Sequence, residues 1–344
     1  MSQARALSNL PSDLATLLRE RFEPVPALDS GRSEQPPLSP RLWDEALLGP
    51  LEEFLDRPGK RFRARLVELG WSLGGGAPGG CPPMVANLVE MLHAGSLIVD
   101  DIEDESEVRR GGPALHRVHG VPIALNAGNW LYFWPLFELA RLDAEPGVVL
   151  AIFRRMSEAL LRCHQGQALD IGARPFALRQ PEVEPVVRTT SRLKTGSLME
   201  LAATTGALAA GADEPRVRAV ADVGRELGMA LQMLDDLGGI TSASRRAKGD
   251  EDLRRGRVTW PWAWLAQVAE PLVFLRAQRE ARRVHDGADP SVLRDELAGR
   301  VARDGRRQVR AHLESTFEGA RSEFGSADAL STLADEVERL ERSY

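Results

Sequence analysis

Residues 84–105 read MVANLVEMLHAGSLIVDDIEDE. Met84, Val85, Leu88, Val89, Leu92, Leu97 and Ile98 fall at helical spacing, which predicts a long core helix from Met84 to about Glu105. Glu90, His93, Asp100, Asp101 and Asp104 interrupt its apolar run and stay near one face. Asp100 and Asp104 are one turn apart, where like charges repel, so this helix end calls for a cation. Oxygen donors without Cys or paired His suit Mg²⁺ better than zinc. Taken alone, Asp100–Asp104 reads equally well as a charged helix end facing solvent. His93 taken alone reads as a satisfied core histidine. An EF-hand is excluded, because Glu105 stands where the loop glycine belongs and Gly111 where the last Glu belongs.

A second stretch repeats the pattern. Pro215–Leu237 predicts an apolar helix through Val223, Leu227, Ala230, Leu231 and Leu234, and it ends in Asp235-Asp236 with Gln232 one turn earlier. Two apolar helices that each end in an aspartate pair suggest two facing ligand sets in one bundle cavity. Basic groups accompany them. Gly59-Lys60-Arg61 precedes a helix, Arg109-Arg110-Gly111 follows the first acidic set, and Lys194-Thr195-Gly196 interrupts an apolar helix. Lys248 and Arg257 flank an acidic segment, Gly249–Leu253. Any one of these cations alone reads as a solvated side chain. Gathered around carboxylates and Mg²⁺, they fit a diphosphate, and an otherwise apolar interior fits a hydrocarbon attached to it.

The rest of the chain is also helical in pattern. Ser12–Arg21 predicts a first helix capped by Ser12, and Glu23–Pro40 a linker. Further helices are predicted over Leu42–Leu55, interrupted at Gly49-Pro50, and over Arg61–Leu73, Ala114–His119, Val121–Leu142, Pro146–Gln167, Val183–Ala210 and Thr259–Leu275. Thr241–Gly256 is polar and reads as a loop. Strand patterns are almost absent. The fold class is all-α, a single large helical bundle. It divides into an N-terminal helix and Pro-rich linker (1–40), a bundle carrying the site (41–289), and charge-rich peripheral helices of the same domain (290–344).

Composition narrows the function. The 344 residues carry 44 Lys+Arg against 50 Asp+Glu, a net charge of −6, which argues against nucleic acid as a partner. The two cysteines, Cys81 and Cys163, are too few for a disulfide framework and suit a reducing cytoplasm. The longest apolar stretch, Trp130–Phe137, is far short of the roughly 20 residues that span a bilayer.

These motifs resemble the trans-isoprenyl diphosphate synthases, the polyprenyl synthetase family. Glu90–Gly111 resembles the first aspartate-rich motif with its trailing arginines, and Leu231–Asp236 the second. Gly59-Lys60-Arg61, Lys194-Thr195 and the Lys248–Thr259 segment resemble the remaining family motifs, in family order. Ser96–Asp104, Asn126–Phe133 and Gly166–Ile171 are most similar to eukaryotic-type geranylgeranyl diphosphate synthases. The chain departs from the pattern at Gly239, where many members have a third Asp, and at Val99, Leu231 and Arg257.

The resemblance implies a bundle around a deep central cavity and a homodimer. It implies three Mg²⁺ ions per active site, held by Asp100, Asp104 and Asp235, with Asp101 and Asp236 in support. Arg109, Lys194, Lys248 and Arg257 would bind an allylic prenyl diphosphate; Lys60, Arg61, His93 and Arg110 would bind isopentenyl diphosphate. Thr195 and Gln232 would face the carbocation. A class I terpene cyclase has no use for the second diphosphate site, and a silent partner subunit gains nothing from buried carboxylates. Gly95 and Leu92, one and two turns before Asp100, would set the floor that stops chain growth. That favours a C20 product, geranylgeranyl diphosphate, over longer chains. Gly95 alternatively permits close approach of two helices.

Overall fold

Apolar side chains spaced three and four apart become helices throughout the computed structural model, which describes residues 13–23, 39–325 and 327–342. Ser12 and residues 24–38 of the expected linker lie outside the described residues. Contacts divide the chain into two compact units. The first takes in the described residues of Met1–Arg65 with Gly80–Val149, and the second Leu66–Gly79 with Leu150–Tyr344.

In the first unit, α1 (Leu14–Arg21) is capped by the Asp13 carboxylate, which accepts from the Ala15 N–H at 3.1 Å. Then α2 (Pro40–Trp43) runs through a π turn, Asp44–Leu48, into α3 (Gly49–Leu55). The interruption expected at Gly49-Pro50 does not occur. The π turn widens the backbone just before Pro50, and the Gly49 N–H bonds back to the Asp44 carbonyl, so the helix continues past the proline. Helix α4 (Phe62–Leu73) begins in this unit. Pro83 starts α5 (Pro83–Glu103), which buries Met84, Val85, Leu88, Val89, Leu92 and Ile98 and ends with Asp104 as its C-cap. A short hairpin, β1 (Val108–Arg109) with β2 (Gly112–Pro113), leads to α6 (Leu115–His119) and α7 (Val121–Ala140), which packs along α5.

The second unit starts within α8 (Pro146–Gly172). The expected Val183–Ala210 helix is α9 (Gln180–Ser191) and α10 (Ser197–Ala209), joined by a π turn, Arg192–Gly196. Then come α11 (Glu214–Thr241), α12 (Arg246–Arg255), α13 (Trp260–Val268), α14 (Pro271–His285), α15 (Ser291–Phe324) and α16 (Asp328–Glu341). Helix α12 corrects the loop expected over Thr241–Gly256. It buries only Gly249 and Leu253, so it has no apolar period, and Gly256 ends it in the left-handed conformation. The C-terminal helices, expected at the periphery, include α15. It packs along α11 and buries Leu293, Leu297, Val301, Val309, Leu313 and Phe317 at a spacing near four. Among the described residues no helix is long and apolar enough to cross a membrane.

Helices α4 and α10 cross at backbone contact. A Cβ on Gly206 would lie 1.9 Å from the Val67 carbonyl oxygen, and one on Gly70 1.9 Å from that of Ala203. Gly206→Val is therefore expected to cost at least about 3 kcal/mol, measured by denaturant unfolding. Gly299→Val, where an added side chain meets nothing within 4 Å, serves as the comparison and costs under about 1 kcal/mol.

Candidate active site

The open face of α5 carries His93, Ser96, Leu97 and Asp100, all partly exposed and spaced three or four apart. The three aspartates have different surroundings. The Asp100 side chain is 25% exposed, whereas that of Asp101 is 1% exposed and Asp104 is buried. Arg109 reaches back from the hairpin. Its Nε donates to Asp101 Oδ1 at 2.7 Å, its Nη2 bonds the same oxygen, and Nη2 lies 3.7 Å from Asp100 Oδ2. Burial pushes the Asp101 carboxyl up against the pull of Arg109, and Asp101 Oδ2 is buried without a hydrogen-bond donor. The Asp104 N–H bonds the Asp100 carbonyl at 2.8 Å, which keeps the two carboxylates on one turn.

Cations gather beside this helix end. Burial, then Arg63, Arg110 and Arg109, hold the His93 imidazole well below its usual range, so it is neutral at pH 7. Arg110 lies over the Phe54 ring at 5.2 Å, and its guanidinium sits where a Cβ on Gly59 would touch it at 3.4 Å. The turn Gly59-Lys60-Arg61 therefore meets the hairpin, with Lys60 exposed beside it. Arg61 Nη2 donates to Asn87 Oδ1 at 3.0 Å. Arg63, two residues further on, bears on His93. The buried Glu90 caps α4 by accepting from the Ala64 N–H at 2.9 Å. Arg61 (φ 46°), Glu105 (φ 45°) and Arg110 (φ 52°) are the non-glycine residues at positive φ among those described, and all three flank these groups.

In the second unit, the π turn lifts Lys194 and Thr195 out of the α9–α10 line. Lys194 Nζ pairs with Asp170 Oδ2 at 2.7 Å. Thr195 Oγ1 donates to Gln232 Oε1 at 2.6 Å, and Gln232 Nε2 donates to Asp236 Oδ1 at 2.7 Å. The Trp260 N–H donates to Asp236 Oδ2 at 2.9 Å. Asp236 is thus engaged by α11 and α13, and burial pushes its carboxyl well up. Asp235 remains 39% exposed and is ion-paired with Arg245. Lys248 Nζ pairs with Asp252 Oδ1 at 3.0 Å, and burial pushes the Asp252 carboxyl up to about 6. Gly239, where the family pattern has a third Asp, lies against Gly249, whose Cβ would fall 2.0 Å from the Gly239 carbonyl oxygen; this seats α12 on α11.

Arg257 is buried and donates to the Asp170 carbonyl at 2.7 Å, fastening the end of α8. Gly95 meets the alternative reading, a close approach of two helices. A Cβ on Gly95 would lie 2.8 Å from the Gly128 carbonyl oxygen and 2.8 Å from Leu131 Cβ, so Gly95 lets α5 and α7 approach closely. Leu92 is 1% exposed and sealed in the first unit's core. Residues that sequence reading missed are Arg63, legible from its place one turn after Lys60, and Asp170, Asp252, Arg245 and Trp260, whose roles depend on contacts distant in sequence. Within each unit the donors suit a hard divalent cation: Asp100 and Asp104 offer carboxylate oxygens in the first, where Asp101 holds an orphaned one, and Asp235 offers them in the second. Among the described residues no three His, Cys, Asp or Glu side chains are gathered as a closed metal cage.

The helices and the two acidic helix ends define the all-α isoprenoid synthase fold. The chain belongs to the polyprenyl synthetase family, whose pattern it matches over residues 44–283. It is 32% identical over 222 residues to geranylgeranyl pyrophosphate synthase 2 of Zymoseptoria tritici, covering 63% of this chain and 64% of that protein. It is 33% identical over 217 residues to a short chain isoprenyl diphosphate synthase of Methanothermobacter thermautotrophicus, covering 62% of this chain and 65% of that one. The chain thus spans just under two thirds of the length of these relatives. The crystal structure of a decaprenyl diphosphate synthase from Rhodobacter capsulatus shares the fold, with a TM-score of 0.73 at 22% identity over 99% of this chain and 98% of that one.

Gly95→Ala is expected to destabilise the protein by about 1–3 kcal/mol in denaturant unfolding, because the added methyl enters the α5–α7 contact. Gly95→Phe is expected to fail to fold, not to shorten a product. A second expectation concerns pH. Asp252 titrates higher in the folded protein than in the unfolded chain, so between about pH 4 and 6 the native state holds the extra proton and stability falls as pH rises. Asp252→Asn removes that loss. Its unfolding free energy should match wild type near pH 4 and exceed it at pH 7.5 by on the order of 1–3 kcal/mol.

Proposed function

We propose that the protein is an isoprenyl diphosphate synthase. It condenses isopentenyl diphosphate with an allylic prenyl diphosphate, and its product is geranylgeranyl diphosphate. The observation that carries this reading is a second cationic group beside the acidic helix end: Arg110 lies over Phe54 against the Gly59-Lys60-Arg61 turn and, with Arg63, bears on a neutral His93, apart from the Arg109 that reaches back to Asp101. A cyclase acts on one diphosphate and needs no such additional set. The C20 product is supported by the names of relatives, such as the Zymoseptoria tritici geranylgeranyl pyrophosphate synthase 2.

Asp100, Asp104 and Asp235 would hold the Mg²⁺ that this chemistry needs, and bound there it supplies positive charge to the leaving diphosphate. Arg109, Lys194 and Lys248 bind that diphosphate. In the structure each is already held by a carboxylate, Asp101, Asp170 and Asp252, so each cation is oriented before substrate arrives. Lys60, Arg61 and Arg110, with Arg63 beside them, bind isopentenyl diphosphate, with neutral His93 as a hydrogen-bond partner. The allylic C–O bond breaks first, its electrons leaving with the diphosphate, and the isopentenyl double bond then attacks C1 of the allylic cation. The departing diphosphate then removes the proton that restores the alkene. Thr195 and Gln232 present oxygen dipoles to the carbocation, and Asp236 fixes the Gln232 amide so that its Oε1 stays turned toward Thr195. The exposed apolar side chains Leu125, Phe133 and Phe137 on α7 support a homodimer, and a chain with two cysteines in all, Cys81 and Cys163, fits the cytoplasm.

Turnover is expected to be abolished by chelator and restored by Mg²⁺. Asp100→Ala and Asp235→Ala should each lower kcat at least ~10²-fold, with circular dichroism and Tm unchanged. Near-normal turnover of either variant, or full activity in excess chelator, contradicts the assignment.

A further inference from the structure

Arg109 and Arg110 sit on a hairpin too small to hold itself. Each strand has two residues, and the turn between them places Arg110 at φ 52° and Gly111 at φ 78°. An isolated hairpin is marginal in water at best, and a non-glycine residue at positive φ adds strain. Something outside the hairpin must set the direction of its two guanidinium groups.

The structure supplies one side chain placed to do this. Arg57 follows α3, and its side chain is 10% exposed. Its Nη1 donates to the Arg109 carbonyl at 3.2 Å and to the Pro113 carbonyl at 2.6 Å, so one guanidinium nitrogen ties the two strands together. The fit is close: a Cβ on Gly112 would meet Arg57 Cζ at 3.2 Å. Arg57 is itself fixed. Its Nη2 donates to Glu53 Oε1 at 2.7 Å, and the other Glu53 oxygen lies 2.7 Å from His119 Nε2. The guanidinium also lies 5.9 Å from the centre of the Phe54 ring, the same ring that carries Arg110. Arg57 thus holds the peptide from which both arginines project, through bonds that use the planar fork of its guanidinium.

We propose that Arg57 is a positioning residue for diphosphate recognition: it fastens the Val108–Pro113 hairpin so that Arg109 faces the α5 aspartates and Arg110 lies over Phe54. This inference rests on the isoprenyl diphosphate synthase reading above and deepens it. Arg57 itself touches neither substrate. An ammonium has one nitrogen and cannot hold the carbonyls with one end and Glu53 with another, so Arg57→Lys is expected to recover only part of the function.

The test compares wild type with Arg57→Met, Arg57→Lys and Arg19→Met. Arg19 pairs with Asp44 and Glu52 in the same unit, far along the chain from the hairpin, and serves as the stability comparison. Binding of inorganic diphosphate is measured by calorimetry in Mg²⁺ buffer, steady-state KM and kcat are measured for both substrates, and hydrogen exchange is followed at residues 108–112. Arg57→Met should weaken diphosphate about 10-fold and raise KM more than it lowers kcat, the effect of one lost charge-assisted anchor. Exchange in the hairpin should speed up, added guanidinium ion should restore part of the affinity, and Arg57→Lys should fall between. Arg19→Met should change Tm alone. The proposal is overturned if Arg57→Met loosens the hairpin yet binds diphosphate as wild type does, or if hairpin exchange is unchanged. If wild type neither binds diphosphate nor elongates, the functional reading has failed and the proposal falls with it.

Discussion

A carboxylate that is almost wholly removed from water must find a cation or give up its charge, and Asp101 is such a carboxylate. Its pairing with Arg109 sets the rest of the first unit's site. The bond draws the hairpin back over the end of α5, which brings Arg110 to Phe54 and the Gly59 turn. It also brings the Arg109 guanidinium within 3.7 Å of Asp100 Oδ2. Removing Arg109 alone would strand a buried charge at a cost of about 3–5 kcal/mol, so this ion pair organises the site even where its net contribution to stability is small.

The second unit solves the same problem with different partners. Asp236 is engaged by the Gln232 amide and the Trp260 N–H, and its neighbour Asp235 stays at the surface with Arg245. In both aspartate pairs, then, one member is turned inward as an anchor and the adjacent one outward. Consecutive residues on a helix point about 100° apart, so a pair at a helix end cannot present both carboxylates to the same place. The inward member stiffens the backbone that carries the outward one. In the same way Asp170 receives Lys194 at its carboxylate and Arg257 at its carbonyl, which couples the π turn to the end of α8.

Much of this was legible in the sequence. The apolar spacing of residues 84–105 and 215–237 predicts α5 and α11, and the acids that break it mark the helix ends. Lys194-Thr195-Gly196 was visible as an interruption, which is a π turn in the structure. Other features were not legible, for physical reasons. Helix α12 buries two positions, too few for a periodic signal, and it is seated by contacts distant in sequence, Gly249 on Gly239 and Asp250 on Arg294. Gly95 could equally mark open space or a close crossing, and only the position of Gly128 on α7 decides between them. Arg61 and Arg63 look alike in sequence. The positive φ at Arg61 turns one toward Asn87, and the first turn of α4 aims the other at His93. Arg257 carries charge in the expected place, yet its burial is set by the α8 carbonyl it meets.

The central claim is that the cations around His93 receive a second diphosphate, so that two prenyl units are joined. The most direct measurement incubates the wild-type protein with Mg²⁺, labelled isopentenyl diphosphate and, in turn, dimethylallyl, geranyl or farnesyl diphosphate, and sizes the dephosphorylated products by chromatography. The account predicts label in a linear prenyl chain that accumulates at C20 from each primer. A cyclic hydrocarbon or terpene alcohol formed from one allylic diphosphate, with no label incorporated, would contradict it.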